Sequence, residues 1–470
     1  MQRKDFWYSA EAESMGTFPT GTRAGQFLFL SAQASINLET GEIIRDLVDL
    51  SPEVREKLAT PHHLINAYFG PVTAQTWTIY QNLSKILASH GATLKGVIRQ
   101  RIFLRDPRDS GWMEKTMLSF FPDERPVTLI MGVPDRGLNE DIRVWVDVIV
   151  LVPQEGGLKK EAINLPEFKK MRGPYPSAVK VGQFLFFDGI RGVDPKTGRA
   201  VTNFDEVDPE ARSGEEGLYI DSVSEAMKCQ FWLTYNGHIK RLLESQGAGL
   251  KDLLDVTAFW RHGMRDLGER EYLREKLFKT PQNAPPATGF GIHNLSVIPD
   301  DQIITGGVAL LPGEYQKQPL RYGDADRVGT YSSMTKGGPF WFHAGMISID
   351  LVNLKNIVSF ADLADNGRFL AQNYIDDSQA IMAKTWYIYR YMLDNVDAKA
   401  SQVIHQTVYL KNASDWPAVE RIANIFFKGH LPPTTIIPVD TVAFHLRYHM
   451  PFVPPADCET MEIQLWGLTE

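Results

Sequence analysis

Two carboxylates stand where carboxylates are costly. Asp147 lies in Val144-Trp145-Val146-Asp147-Val148-Ile149-Val150, and Asp188 follows Phe184-Leu185-Phe186-Phe187. A charge inside an apolar strand is unfavourable unless it is paired or put to use. Burial raises a carboxyl toward the range of general acid–base work. The alternative for Asp147 is a salt bridge with Arg143 or Arg101; for Asp188 it is a strand-end turn closed by Arg191. Gly189 beside Asp188 would let a ligand approach the backbone. Tyr175 and Tyr331 have phenols that could orient a ligand or donate a proton, or sit in a core with the hydroxyl bonded to backbone. Arg261-His262 follow the strand-like Val256–Trp260. His262 suits proton shuttling, unless the pair sits in a solvated loop.

Other candidates are weaker. His293 and His343 read as satisfied core histidines. His445 and His449 are four apart, and His62-His63 lie elsewhere, but Thr441-Val442-Ala443-Phe444 reads as strand or turn and no Glu follows the first His. A helical metal pair is therefore not expected. No Walker loop, dinucleotide fingerprint or Cys–His pairing is present, so the expectation is no cofactor and no metal.

The elements that must position these residues recur three times. Gly25-Gln26-Phe27-Leu28-Phe29 returns as Gly182-Gln183-Phe184-Leu185-Phe186 and Gly338-Pro339-Phe340-Trp341-Phe342, at offsets of 157 and 156 residues. Trp77-Thr78-Ile79-Tyr80, Trp232-Leu233-Thr234-Tyr235 and Trp386-Tyr387-Ile388-Tyr389 each open an apolar pattern at helical spacing, read as core packing. Gly91-Ala92-Thr93-Leu94-Lys95 and Gly247-Ala248-Gly249-Leu250-Lys251 cap such helices, with the third equivalent starting at Asp397. Pro126-Val127-Thr128, Pro286-Ala287-Thr288 and Pro433-Thr434-Thr435 form a fourth anchor. Self-similarity at this period predicts three domain-sized units, at 1–155, 165–312 and 322–470. The linkers begin at Pro153-Gln154-Glu155-Gly156-Gly157 and are marked by Leu311-Pro312-Gly313-Glu314 and Gln318-Pro319.

Within a unit the order reads strand, strand, long helix, strand, helix, strand, strand. In the first, Phe27–Ser31, Val97–Leu104, Thr128–Val133 and Ile142–Leu151 are strands, and Thr73–Ser89 and Gly111–Phe121 helices. Strands apolar on both faces need cover on both sides, so three sheets could bury their second faces against one another in a barrel-like core.

Composition sets the bounds. The 470 residues are 43% hydrophobic and 23% charged, with 49 basic and 57 acidic residues and a formal charge of −8. This is globular material without the positive footprint that nucleic acid or an anionic membrane requires. Cys229 and Cys458, the two cysteines, fit a reducing compartment. The polar-then-aromatic start, Met1 to Tyr8, and the short apolar runs predict neither a signal peptide nor a membrane span, hence a cytoplasmic protein.

The run from Gly173-Pro174-Tyr175 to Asp188-Gly189, the helix ending in Gly-Ala-x-Leu-Lys, Phe120-Phe121-Pro122 and the Pro-Pro-Ala-Thr turn together resemble the RidA-like (YjgF) family. The resemblance covers all three units. It implies an α+β, chorismate mutase-like fold, and one chain forming an intramolecular pseudo-trimer with three non-identical clefts in place of a homotrimer. It also implies hydrolysis of enamines and imines, with no cofactor. The family tyrosine falls on Phe18, Tyr175 and Tyr331, and its Ser-Gly pair on Ser31-Ala32, Asp188-Gly189 and Ala344-Gly345. Its carboxylate-gripping arginine falls on Thr128, Thr288 and Thr435, and its last-strand acid on Asp147, Gly306 and Gln464. A threonine hydroxyl does not replace a bidentate guanidinium, so either the substrate lacks that carboxylate or another basic residue, such as Arg191 or Arg261, supplies the anion contact.

The expected function is thus a cofactor-independent hydrolase or deaminase of a small imine, enamine or cyclic C–N compound. Asp188, Tyr175 and Asp147 are the catalytic candidates. Arg191, Arg261, His262, Thr288, Tyr331, Ser31, Thr128 and Thr435 line the clefts, and the second unit is favoured. A ring-opening amidohydrolase with a Ser–Lys dyad per repeat is disfavoured, because no such dyad recurs. The alternative of another class is a non-catalytic ligand-binding or scaffold protein. A small-molecule partner and a monomer or low-order oligomer are expected.

Overall fold

Each of the three long stretches of the chain builds a six-stranded sheet with one and the same strand order. The computed structural model describes residues 1–8, 18–137, 139–169, 173–212, 221–262, 267–298, 300–322, 329–350, 355–372, 378–442 and 460–469. The first sheet comprises β1 (Arg3–Phe6), β2 (Gly21–Ala24), β3 (Phe27–Leu30), β4 (Val97–Leu104), β5 (Val127–Gly132) and β6 (Val144–Leu151), ordered β1-β2-β3-β6-β4-β5. The second has β7 (Lys160–Ile163), β8 (Ala178–Val181), β9 (Phe184–Arg191), β10 (Leu253–Trp260), β11 (Ala287–Gly291) and β12 (Ile303–Leu310), ordered β7-β8-β9-β12-β10-β11. In the third stretch, β13 (Gln318–Leu320), β14 (Met334–Gly337) and β15 (Phe340–His343) are followed by a separate small pair, β16 (Ile349–Asp350) and β17 (Lys355–Asn356). With β18 (Val403–Leu410), β19 (Thr434–Pro438) and β20 (Met461–Leu468) the third sheet runs β13-β14-β15-β20-β18-β19. The β4–β5, β10–β11 and β18–β19 pairs are parallel and the other pairs antiparallel. Three repeated α+β domains fit this arrangement.

Local chemistry explains the repetition. Gly25, Gly182 and Gly338 take φ of 59°, 59° and 56° in the turn that folds each opening hairpin, a conformation cheap only for glycine. Past the long helices, Gly91 and Gly247 adopt the left-handed cap, and Asp397 takes the same conformation at φ 50° in the third unit. The long helices His63–Ser89, Ser222–Trp232 (continuing through π-helical Leu233–Ile239) and Gln379–Asp394 cover one face of each sheet. Tyr80 and Tyr389 lie in those cores, their hydroxyls donating to Gln100 at 2.8 Å and Gln406 at 2.7 Å. Among the described residues no helix is long and apolar enough to cross a membrane.

Two features depart from the sequence reading. The first long helix starts at His63, ahead of Thr73, because its opening turns project Leu64 and Tyr68 into solvent and carry no apolar stripe. Each sheet also has a sixth strand, β1, β7 or β13, and the last two fall in stretches read as linker, including Gln318-Pro319. They are short, polar edge strands, which lack the alternation that marks a half-buried one.

The other faces of the three sheets meet. Phe27, Phe184 and Phe340, at one position of the repeat, pack edge to face with centroids 5.3 to 6.3 Å apart. A second apolar layer holds Phe103, Phe259 and Tyr409. Each first strand, or the residue just before it, reaches a neighbouring unit. Arg3 donates to the carbonyls of His430 and Leu431, Lys160 to Lys95, and Lys317 to Lys251 and Asn283.

Candidate functional site

A backbone irregularity aims the polar residues inward. Registers shift between Val97 and Arg99, Leu253 and Asp255, and Val403 and His405. Such a bulge re-aims side chains relative to a regular pleat. Ile98, Leu254 and Ile404 join the shared apolar interior, and Arg99, Asp255 and His405 reach side chains of other strands there. One topological position thus holds a guanidinium, a carboxyl and an imidazole.

Asp147 is the centre of the first cluster. Thr435 Oγ1 donates to its Oδ2 at 2.5 Å, and His405 Nε2 is 3.3 Å from the same oxygen. Thr435 Oγ1 also lies 3.4 Å from His405 Nε2. Arg99 Nη2 is 3.5 Å from Asp147 Oδ1, and its guanidinium stacks 4.9 Å over Trp466. Asp147 belongs to the first sheet; His405 and Thr435 belong to the third. Burial would push this carboxyl up, as the sequence suggested. The His405 imidazole, Arg99 and the Thr435 hydroxyl outweigh it and hold Asp147 well below the usual carboxylate range. Neither expected salt bridge forms: Arg143 faces Asp109, and Arg101 takes Asp188.

Asp188 is wholly buried, with Oδ2 2.6 Å from Arg101 Nε and Oδ1 accepting from Gly189 N at 3.0 Å. It fills the space beside Gly306, where a Cβ would lie 2.0 Å from Asp188 Oδ1. A carboxylate from the neighbouring strand therefore occupies the place that Asp147 fills in the first unit. Arg191 pairs instead with Asp301 at 2.9 Å and donates to Ile130 O. In the third cluster Asp255 Oδ1 accepts from Gln464 at 3.0 Å, and Tyr409 donates to Gln464 at 3.3 Å. Burial pushes Asp255 up to about 7, against the pull of Arg101 and Arg99.

The three family-tyrosine positions each face another unit's second helix. Phe18 packs 5.7 Å from Trp416, and Tyr175 donates to Glu114 at 2.5 Å. Tyr331, its phenol pushed up by burial, lies near Arg274 and Glu271, and Arg274 donates to Thr330 O. Ser31 donates to Pro19 O and accepts from Thr434 N at 2.9 Å. A cavity lined by Tyr8, Phe18, Ser31, Ala32, Gln33 and Asn82 opens there. Gln33 exchanges backbone hydrogen bonds with Val146, the neighbour of Asp147.

The three threonines are not equivalent. Thr128 pairs with Gln100 and Thr434 with Gln406, each accepting that glutamine's amide on the helix-covered face. Thr288 and Thr435 stand one residue further along, where Thr288 accepts from Gly345 N at 2.8 Å and Thr435 meets Asp147. Leu129 is their counterpart. Pro126 corresponds to the first proline of the pairs Pro285-Pro286 and Pro432-Pro433, and a one-residue slip flips the face.

Arg261 does not point into a cleft. Its guanidinium donates to the carbonyls of Asp301, His293, Ser296 and Ile298, stapling that loop, while His262 is exposed on the following turn. His343 is buried between Tyr322 and the Ala344 carbonyl, and its pKa falls to about 4 by burial. His293 sits 3.1 Å from Asp440. His445 and His449 lie outside the described residues, among which no group of three or more His, Cys, Asp or Glu could hold a metal ion.

Arg99, Asp255 and His405 are not among the candidates drawn from the sequence. Their signal was present: an ionisable residue at the third position of each apolar inner strand.

No protein-family model matches the chain. A RutC family protein of Pyrococcus horikoshii is 24% identical over 135 residues, 29% of this chain and 86% of that protein. A 2-iminobutanoate/2-iminopropanoate deaminase of Dermatophagoides farinae is 21% identical over 140 residues, 30% of this chain and 89% of that protein. Among solved structures, a Mycobacterium tuberculosis member of the YjgF/YER057c/UK114 family is 18% identical and aligns with 32% of this chain and 100% of that one, at a TM-score of 0.24. The chain has homologues in the RutC/RidA (YjgF) family, each matching about 30% of its length.

Proposed function

We propose that the chain is a cofactor-independent deaminase-type hydrolase, built as an intramolecular pseudo-trimer of RidA-like units at 1–155, 165–312 and 322–470. Its working cleft would lie between the first and third units. The observation that carries this reading is the hydrogen bond from Thr435 to Asp147. The position taken from the family's arginine and that taken from its acidic residue come from different sheets and meet. A relative named as an imine deaminase supports the reaction class.

In this reading Asp147 stays ionised and orients His405, whose imidazole relays the protons of the reaction. Water adds its oxygen to a C=N carbon while its proton passes to the His405 side. His405 returns that proton to the nitrogen, and the proton of the new hydroxyl follows as the C–N bond breaks, leaving a carbonyl and ammonia. The substrate would enter through the cavity beside Ser31 and Phe18. Asp188 and Tyr175 serve the cleft between the first two units, Asp188 as the tether of Arg101. The protein would act on small molecules in the cytoplasm, as a monomer or low-order oligomer.

The near-complete burial of Asp147 and Asp188 favours a second reading, a non-catalytic ligand-binding pseudo-trimer. A panel of imines, enamines and cyclic amides, assayed for ammonia release, separates the two. Turnover that falls about 10²-fold in both Asp147→Asn and His405→Gln supports the enzyme. Ligand-induced stabilisation without turnover supports the binding protein, and full activity in both variants removes this cleft as the site.

A further inference from the structure

We propose that the interior where the three sheets meet holds a resident cluster of water molecules, bound between Arg99 and Arg101 of the first unit and Asp255 and Thr257 of the second. Five polar atoms there have no hydrogen-bond partner among the described residues: Arg99 Nε and Nη1, Arg101 Nη2, Asp255 Oδ2 and Thr257 Oγ1. All four residues are at most 3% exposed. Buried polar groups are almost always satisfied, and each one left bare costs about 1–3 kcal/mol. Arg99 and Arg101 are two apart on β4, as Asp255 and Thr257 are on β10, so each pair shares a face. Arg101 and Arg99 are also the charges that act most strongly on Asp255.

Charge decides the ligand class. Asp147 already faces Arg99 and Asp188 already pairs with Arg101, so an anion would leave a net buried charge. A cation would meet two guanidiniums. The binder must accept from three N–H groups and both give to and take from a carboxyl and a hydroxyl, while remaining neutral. Water does this, typically with about three hydrogen bonds per buried molecule. The Phe27–Phe184–Phe340 layer and the Phe103–Phe259–Tyr409 layer belong to the two apolar clusters of this interior, so nothing larger is expected to exchange in. The cluster would join Asp255 to Arg99, and through Arg99 Nη2 to Asp147, linking acidic groups of two units.

The test is independent of any turnover. A high-resolution crystal structure of the whole chain at neutral pH should place ordered waters on Asp255 Oδ2, Arg101 Nη2 and Arg99 Nε. Crystals grown in bromide should give no anomalous peak at either arginine. A direct guanidinium contact to Asp255 with no water between, or a bromide peak there, overturns the proposal. In solution, magnetic relaxation dispersion of water should count about one long-lived molecule fewer in Thr257→Val than in the wild type. An unchanged count overturns it equally.

Discussion

Arg101 of the first sheet and Asp188 of the second form a 2.6 Å ion pair in which neither side chain is more than 4% exposed. The pair crosses between units, so it couples their packing. Removing one partner of a buried pair strands a charge, at a cost of about 3–5 kcal/mol, whereas replacing both by apolar groups is often neutral. Arg101→Met and Asp188→Leu should each lower Tm strongly, and the two together should recover most of the loss. A double-mutant cycle by denaturant unfolding measures the coupling. Additive losses would show that the pair does not join the units.

Asp255 gives stability a pH signature. Its carboxyl is raised from 3.8 to about 7, chiefly by burial, with Arg101, Arg99 and Gln464 opposing and Asp188 reinforcing the shift. Between those two values the folded state binds more protons than the unfolded state. Linkage then makes this group's contribution fall as pH rises through that window, and level off above about 7. Tm measured from pH 5 to 8 should therefore decline less in Asp255→Asn than in the wild type. Parallel profiles would mean that Asp255 titrates as it does in the unfolded chain.

The threonine register makes a prediction by contrast. Thr435 lies against Asp147, while Thr128 lies on the helix-covered side with Gln100. With a substrate in hand, Thr435→Val should reduce turnover about 10-fold or more, in line with the loss of one charge-assisted hydrogen bond, and Thr128→Val should leave it unchanged. Matched losses would remove the distinction between the two faces.

How far the sequence could be read depended on which physical rule spoke. Val97–Leu104 is apolar enough to announce a strand, and its bounds match β4 residue for residue. Gly25, Gly182 and Gly338 mark the hairpin turns, since the positive φ there needs glycine. β1, β7 and β13 stayed hidden because a short polar edge strand has no periodic signature. The partners of Asp147 stayed hidden for a different reason. His405 and Thr435 are about 260 and 290 residues away in sequence, and no local pattern reports which strand of one sheet faces another. A bulge at Ile98 then gave Arg99 an inward aim that strict alternation would deny it.

The inner faces also predict which units associate. Three copies of the first unit would bring together three Arg99 and three Arg101 against only three Asp147; three copies of the second would gather three Asp188 and three Asp255. Like charges about 4 Å apart repel by about 4 kcal/mol at an effective dielectric of about 20. In the chain as it stands, the same positions hold Arg99, Asp255 and His405, and Arg101 of the first unit meets its opposite in Asp188 of the second. Arg3, Lys160 and Lys317 add contacts from one unit to the next. Each face is thus complementary to the others and self-incompatible, a repulsive element that specifies partner choice. Protease sites introduced at Gly156-Gly157 and Gly313-Glu314 would nick the folded protein in its exposed turns. The three fragments should stay together as one particle of unchanged mass in light scattering. The first fragment, purified and refolded alone, should remain monomeric or aggregate, and should be captured by the other two at equal ratio. A well-defined homotrimer of the first fragment would show that the charged interior does not dictate the assembly.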